Sequence, residues 1–248
     1  MKPYRNPELQ KLVGKHLANW ELRKQVADRL EREPPEVLAG MGPYIAISRL
    51  PYSLGDEVAH LCAEKLDWQL FDRELVDYIA HDADTLGQFV ASLDEKSRGA
   101  MDDWIQTALD ARSMGHLSYL RHLKRVVLTV ALHGNAVILG RGASFFLPAK
   151  AGLRILVTAP PARRLQLLAD SCHLTHAQAL KELRRLDEQR HDFLKTHFLT
   201  VGQELEHHDL IINMDQMDPE AAATLIVDAF YTLDRRPLGE QRHPPVTV

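Results

Sequence analysis

Cysteine is scarce: the 248 residues contain two, Cys62 and Cys172. Two thiols cannot build a disulfide framework, and such rarity fits a reducing, cytoplasmic setting. Long apolar runs are missing as well. None approaches the roughly 18 residues of a membrane span. The N-terminal stretch MKPYRNPELQKLVGKHLANW has no apolar core of a secretory signal. Nor is there an excess of positive charge. Lys and Arg number 30 against 34 Asp and Glu, a net charge of −4, which argues against nucleic acid as a partner. No Gly-x-Ser-x-Gly, His-Glu-x-x-His or Cys-x-x-Cys occurs, so hydrolase, zincin and dithiol chemistry lack support. What remains is an ordinary globular composition, 45% hydrophobic and 26% charged. The length suits one large domain, or one domain with an insertion, able to bury its own core.

Residues 1–43 read as a helical arm. Asn19 is a candidate cap for a helix over 20–33, with Leu22, Val26 and Leu30 on one stripe and Pro34-Pro35 as its stop. So narrow a stripe docks on the main body or on a second copy of the chain. A homodimer through the arm is therefore an expectation. The body begins near Pro43. Short apolar runs at 44–48, 68–71, 136–139, 153–159 and 210–212 read as strands. Helical stretches are expected near 56–66, 73–82, 85–93, 98–112, 116–133, 161–170, 175–198 and 219–233. Thr175-x-x-Gln178 is a capping-box signal. The Pro- and Arg-rich stretch 236–248 reads as a flexible tail.

Apolar strands separated by helices predict an α/β fold: a parallel sheet covered by helices on both faces. Such sheets bind ligands at the carboxyl ends of their strands. That rule selects Arg49, Asp72, Arg73, Arg141 and Asn213. Three arginines at strand ends suit an anionic ligand, because guanidinium pairs phosphate bidentately.

These residues sit within a wider pattern. Ile45-Ala46-Ile47-Ser48-Arg49, followed by Ser53, Gly55, Glu57, Val58 and Ala59, resembles the first strand, loop and helix of the cytidylate-kinase-like family. Phe71-Asp72-Arg73-Glu74-Leu75 is similar to its next signature. Gly134-Asn135-Ala136-Val137-Ile138-Leu139-Gly140-Arg141-Gly142-Ala143 is similar to its strand-and-arginine segment. Arg185-x-Asp187-x-x-Arg190 resembles its lid, and Asp209-Leu210-Ile211-Ile212-Asn213 its final strand. The resemblance spans about 44–230. It implies a P-loop fold of the nucleoside monophosphate kinase type over 44–235. A helical acceptor-side insertion would occupy 84–133 and a lid 172–199. The implied activity is transfer of the terminal phosphate of ATP, with magnesium, to CMP or dCMP. Such chemistry is mainly positioning and charge stabilisation. By the same resemblance Arg49, Ser53, Gly55, Asp72, Arg73, Gly140 and Arg141 would bind nucleotide. Arg184, Arg185 and Arg190 would close over the transferring group, oriented by Asp187. On residue types alone this stretch reads as a solvated helix face, with Arg184/Glu188 and Asp187/His191 at i, i+4 spacing.

One segment departs from that pattern. A working P-loop reads G-x-x-x-x-G-K-[ST], whose glycines admit phosphate, whose lysine neutralises it and whose hydroxyl reaches magnesium. The corresponding window is Leu50-Pro51-Tyr52-Ser53-Leu54-Gly55-Asp56-Glu57, and only Gly55 survives. Asp56 stands at the lysine position and Glu57 at the hydroxyl position. Two like charges at 4 Å repel by about 4 kcal/mol at an effective dielectric of 20, so these carboxylates oppose a triphosphate. The alternative expectation is a catalytically impaired member that senses a nucleotide or another small anion, or acts as a scaffold. ATP and magnesium are both put in doubt, and no metal-ligating set is assigned. Cys172, His173 and His176 lie close in sequence but supply too few ligands for zinc. Cys62 falls on the apolar stripe of its helix and reads as core.

Overall fold

The strand Tyr44–Arg49 (β1) has five buried residues and sits at the centre of a parallel sheet. In the computed structural model, which describes residues 6–29, 41–95, 97–99, 101–102, 105, 117–147, 152–198 and 204–233, five strands form that sheet. Gln69–Phe71 (β2), Ala136–Leu139 (β3), Gly152–Thr158 (β4) and Leu210–Asn213 (β5) complete it, in the order β2-β3-β1-β4-β5. All five lie within or beside the runs expected to be strands. β1 pairs Tyr44 with Ala136 on one side and with Gly152 on the other.

Side chains alternate across a strand, so the two faces build two cores. Tyr44, Ala46, Phe71 and Ile138 pack against Leu75 and Ile79 of the helix Arg73–His81, and against Val127 and Val130 of the helix Leu117–His133. Ile45, Ile47, Val137 and Ile155 face Val58 and Cys62 of the helix Gly55–Leu66, and Ile226 and Phe230 of the helix Pro219–Thr232. Cys62 is thus core, as its position on the stripe suggested. In chain order the helices are α1 (Pro7–Arg29), α2 (Gly55–Leu66), α3 (Arg73–His81), α4 (Ala83–Ala91), α5 (Leu117–His133), α6 (Ala143–Phe146), α7 (Pro161–Cys172), α8 (His176–Phe198) and α9 (Pro219–Thr232). The expected helix over 98–112 lies largely outside the described residues, as does the end of the arm at Pro34-Pro35 and the stretch 236–248.

The arm helix begins thirteen residues earlier than its candidate cap Asn19 implies. Asn6 is the cap: its Oδ1 accepts from the backbone of Glu8 at 3.0 Å, and Pro7 sits at the first helical position. This added length carries Val13 and His16 into the body, where both are buried. The His16 ring lies 4.6 Å from that of Phe71. Burial lowers the His16 pKa to about 4, helped by the nearby Lys15 charge.

Helices α7 and α8 form a separate hairpin. Leu168, Ala179 and Leu183 make its small core, with Tyr52 and Leu165 at the edge. The capping box at Thr175 forms: Thr175 donates to Gln178 Oε1, and the Gln178 backbone donates to Thr175 Oγ1. Among the described residues no helix is long and apolar enough to cross a membrane.

Candidate functional site

A cavity of about 730 Å³ opens where β1 and β3 end, between the turn Leu50–Leu54 and helix α8. Arg49, Arg73, Arg141 and Arg190 line it, opposed by Asp56, Glu57 and Glu182. The strand-end rule therefore brings three of its arginines together and adds one from α8.

The turn after β1 keeps a backbone that glycine would favour, although its side chains are bulky. Tyr52 and Leu54 both lie in the left-handed region, at φ of 56° and 64°. Gly55 is required for another reason. A methyl group there would overlap Cβ of Arg49, because α2 starts hard against the end of β1. Ser53 is buried, and its hydroxyl donates to the carbonyls of Leu50 at 2.8 Å and Val157 at 3.2 Å. That hydroxyl is committed to the fold rather than turned to the cavity.

Asp56 is the second residue of α2, in the helix's first turn. Its carboxylate accepts from Arg49 Nε at 3.2 Å and from Arg49 NH2 at 2.9 Å. The charge that stands at the P-loop lysine position is thus held by the arginine at the end of the preceding strand. Arg190 of α8 reaches the same place, its Nε donating to the Arg49 carbonyl at 3.1 Å.

At the end of β3, Gly140, Arg141 and Gly142 are all left-handed, with φ of 79°, 50° and 69°. Three such residues in a row turn the chain sharply and present Arg141 toward the cavity. Its guanidinium lies 5.1 Å over the Phe193 ring and forms an ion pair with Asp77. Asp77 also accepts from the Tyr119 hydroxyl at 2.8 Å and stands 4.0 Å from Arg73. Burial raises the Tyr119 pKa. Asp72 caps α3, accepting from the Leu75 backbone at 2.8 Å, and does not line the cavity. Asn213 likewise serves its own turn, accepting from the Asp215 backbone.

The residues expected in a lid divide. Asp187 is bound bidentately by Arg164 of α7, at 2.8 and 2.9 Å, and Arg164 also donates to the Pro51 carbonyl. Asp187 therefore joins α8 to α7 and to the turn. Arg185 pairs with Glu182 on the same helix, with Nε to carboxylate at 2.8 Å. Arg184 does not line the cavity, whereas Arg190 does. Among the described residues no cluster of three or more His, Cys, Asp or Glu side chains is placed to hold a metal ion.

The parallel order β2-β3-β1-β4-β5, with helices on both faces and a turn and helix start beneath a crossing helix, defines a P-loop kinase-type α/β protein. The cytidylate kinase-like family matches residues 44–216, and the chain belongs to that family. Its fold is similar to the crystal structure of an uncharacterized protein from Eubacterium ventriosum ATCC 27560. The two share 18% identity at a TM-score of 0.51, over 78% of this chain and 99% of that one. Shikimate kinase from Bacteroides thetaiotaomicron also matches, at 13% identity and a TM-score of 0.40, over 75% of this chain and 96% of that one. No curated protein matches the chain.

Proposed function

We propose that this kinase-like protein binds a nucleoside monophosphate, of the CMP or dCMP type, in the half of the cavity bounded by Arg73 and Arg141. We propose further that its other half is impaired for ATP and magnesium, so that it works as a nucleotide sensor on a kinase frame. The observation that carries this reading is the bidentate Arg49–Asp56 pair. A phosphate arriving at the turn has to displace a carboxylate already seated on Arg49, and it meets Glu57 beside it. The residues present do not suit magnesium either. The Ser53 hydroxyl points into the fold and Asp56 is engaged, which leaves Glu57 as the carboxylate at the turn. Hard cations at phosphate sites draw on carboxylates and hydroxyls together with the phosphate itself.

A second reading, transfer of the ATP terminal phosphate to CMP or dCMP, is favoured by Arg190, which α8 holds over the turn. Arg184 and Arg185 would assist by moving in from the outer face.

Thermal stability of the purified chain separates the readings. It is measured against CMP, dCMP, UMP, AMP, ADP and ATP, with and without magnesium. A ligand that binds only the folded state at 100 times its dissociation constant adds about 2.7 kcal/mol. A shift with a monophosphate alone is the expected result. An equal shift with ATP and magnesium, followed by turnover, would establish the transferase instead. No shift with any of them would overturn both.

A further inference from the structure

The acceptor half of the cavity contains a polar unit that the sequence motifs did not include. Asp77 lies one turn after Arg73 on α3. One of its carboxylate oxygens accepts from Tyr119, on α5, at 2.8 Å. The other is paired with Arg141, at the end of β3. Three elements from different parts of the chain thus meet on one carboxylate.

What they hold is a constrained arginine. Arg141 is itself left-handed between two left-handed glycines, a conformation that persists in non-glycine residues only when the surroundings impose it. Its side chain is 12% exposed. Phe193 covers one face of the guanidinium, and Asp77 takes NH2. Its Nε is buried with no hydrogen-bond partner among the described residues. The side chain nevertheless lines the cavity, and a phosphate oxygen is the acceptor that guanidinium matches best.

We propose that Asp77, held by Tyr119, is a positioning residue: it fixes the plane of Arg141 so that the remaining N–H groups meet the phosphate of a phosphate monoester. Tyr119 acts through Asp77, donating to one oxygen so that the other stays on Arg141. Burial raises the Tyr119 pKa, so the phenol keeps the proton that this role needs at neutral pH. This inference rests on the reading that the cavity takes a nucleoside monophosphate.

The test is calorimetric titration of the full chain with CMP and, in parallel, with cytidine, which lacks the phosphate. Asp77→Asn keeps the shape and removes the charge, whereas Tyr119→Phe removes one hydroxyl. A hydrogen bond to a charged group is worth roughly a factor of ten. Asp77→Asn is expected to weaken CMP about tenfold and Tyr119→Phe about threefold, with cytidine unchanged within about twofold. In an Arg141→Lys background, Asp77→Asn should cost less than about twofold more, because the arginine it orients is gone. Asp77→Glu should recover part of the loss. If Asp77→Asn does not fold, Tyr119→Phe with the cytidine control still decides. Equal losses for CMP and cytidine, unchanged CMP binding, or tighter CMP binding in Asp77→Asn would each overturn the positioning role. Wild-type protein that binds no CMP would overturn the monophosphate reading, and this inference with it.

Discussion

Arg49, the last residue of β1, and Asp56, the second residue of α2, close the turn between them as a two-point ion pair, with Arg49 NH2 and Asp56 Oδ1 2.9 Å apart. The arginine at the strand end and the carboxylate at the helix start satisfy each other. The turn therefore presents less net positive charge to a phosphate than its arginine suggests.

Removing that carboxylate should open the turn to anions. Asp56→Asn releases Arg49, and Asp56→Lys combined with Leu50→Gly restores both charge and room. Calorimetry should show ADP and ATP binding severalfold tighter in Asp56→Asn and tighter again in the double variant. Because Asp56 is 60% exposed, folding stability should fall by less than about 1 kcal/mol. Unchanged nucleotide affinity in both variants would mean that phosphate does not approach this turn.

Arg164 should matter far more to stability. Its side chain is 7% exposed and holds Asp187 at two points and the Pro51 carbonyl at a third. Loss of hydrogen bonds to a charged, buried group costs about 2–3 kcal/mol, so Arg164→Ala should lower the denaturation midpoint clearly. Hydrogen exchange should quicken in α7 and α8 and stay slow in β1 and β3. Uniform quickening across the sheet would show that the hairpin is not held locally.

His16 makes the docking of α1 sensitive to acid. Its ordinary pKa of 6.5 falls to about 4 in the folded protein, mainly through burial. Between those values the unfolded chain binds the proton and the folded chain does not. Stability is therefore lost as the pH falls from about 6.5 toward 4 and levels off below. The difference between wild type and His16→Leu, followed by chemical denaturation from pH 7 to 4, isolates this contribution. It should reach about 3 kcal/mol at most. Parallel pH profiles in the two proteins would remove His16 as the cause.

The two cysteines should behave differently toward a thiol reagent. Cys172 is exposed, whereas Cys62 is buried and its thiol is pushed up to about 12. One equivalent should react in native protein and a second only after denaturation. Two rapid equivalents would place Cys62 outside the core.

The sheet was legible because each strand is a short, continuous apolar run, and in a doubly covered parallel sheet that signal has little competition. The arm was misread at its start. Asn19 stands before a plausible stripe, but Asn6-Pro7-Glu8 holds the stronger set of helix-start features: a cap, a proline and an early acid. At the site, Arg49, Arg73 and Arg141 could be found because they occupy strand ends. Asp77 could not be singled out, since a carboxylate four residues after an arginine on a helix usually marks a solvated pair. Its partner Tyr119 is 42 residues away, and Arg164 lies 23 residues from Asp187. Neither pairing has a local signature, and both arise only when α3 meets α5 and α7 folds back on α8. The reversed charge at Asp56 was visible, but its neutralisation by Arg49 depends on the path of the intervening turn.

Helix α8 is fastened near its middle by Asp187 to Arg164, and at its far end by Phe198, whose ring lies where any side chain at Gly142 would stand. At 1.5 Å per residue its 23 residues make a rod about 34 Å long. One fastening belongs to the hairpin and the other to the arginine turn after β3. The rod therefore works as a rigid strut across the mouth of the cavity. Between its two fastenings Arg190 bonds the Arg49 carbonyl and Phe193 lies under Arg141, so the strut is tied to both arginine-bearing turns whose side chains line the cavity.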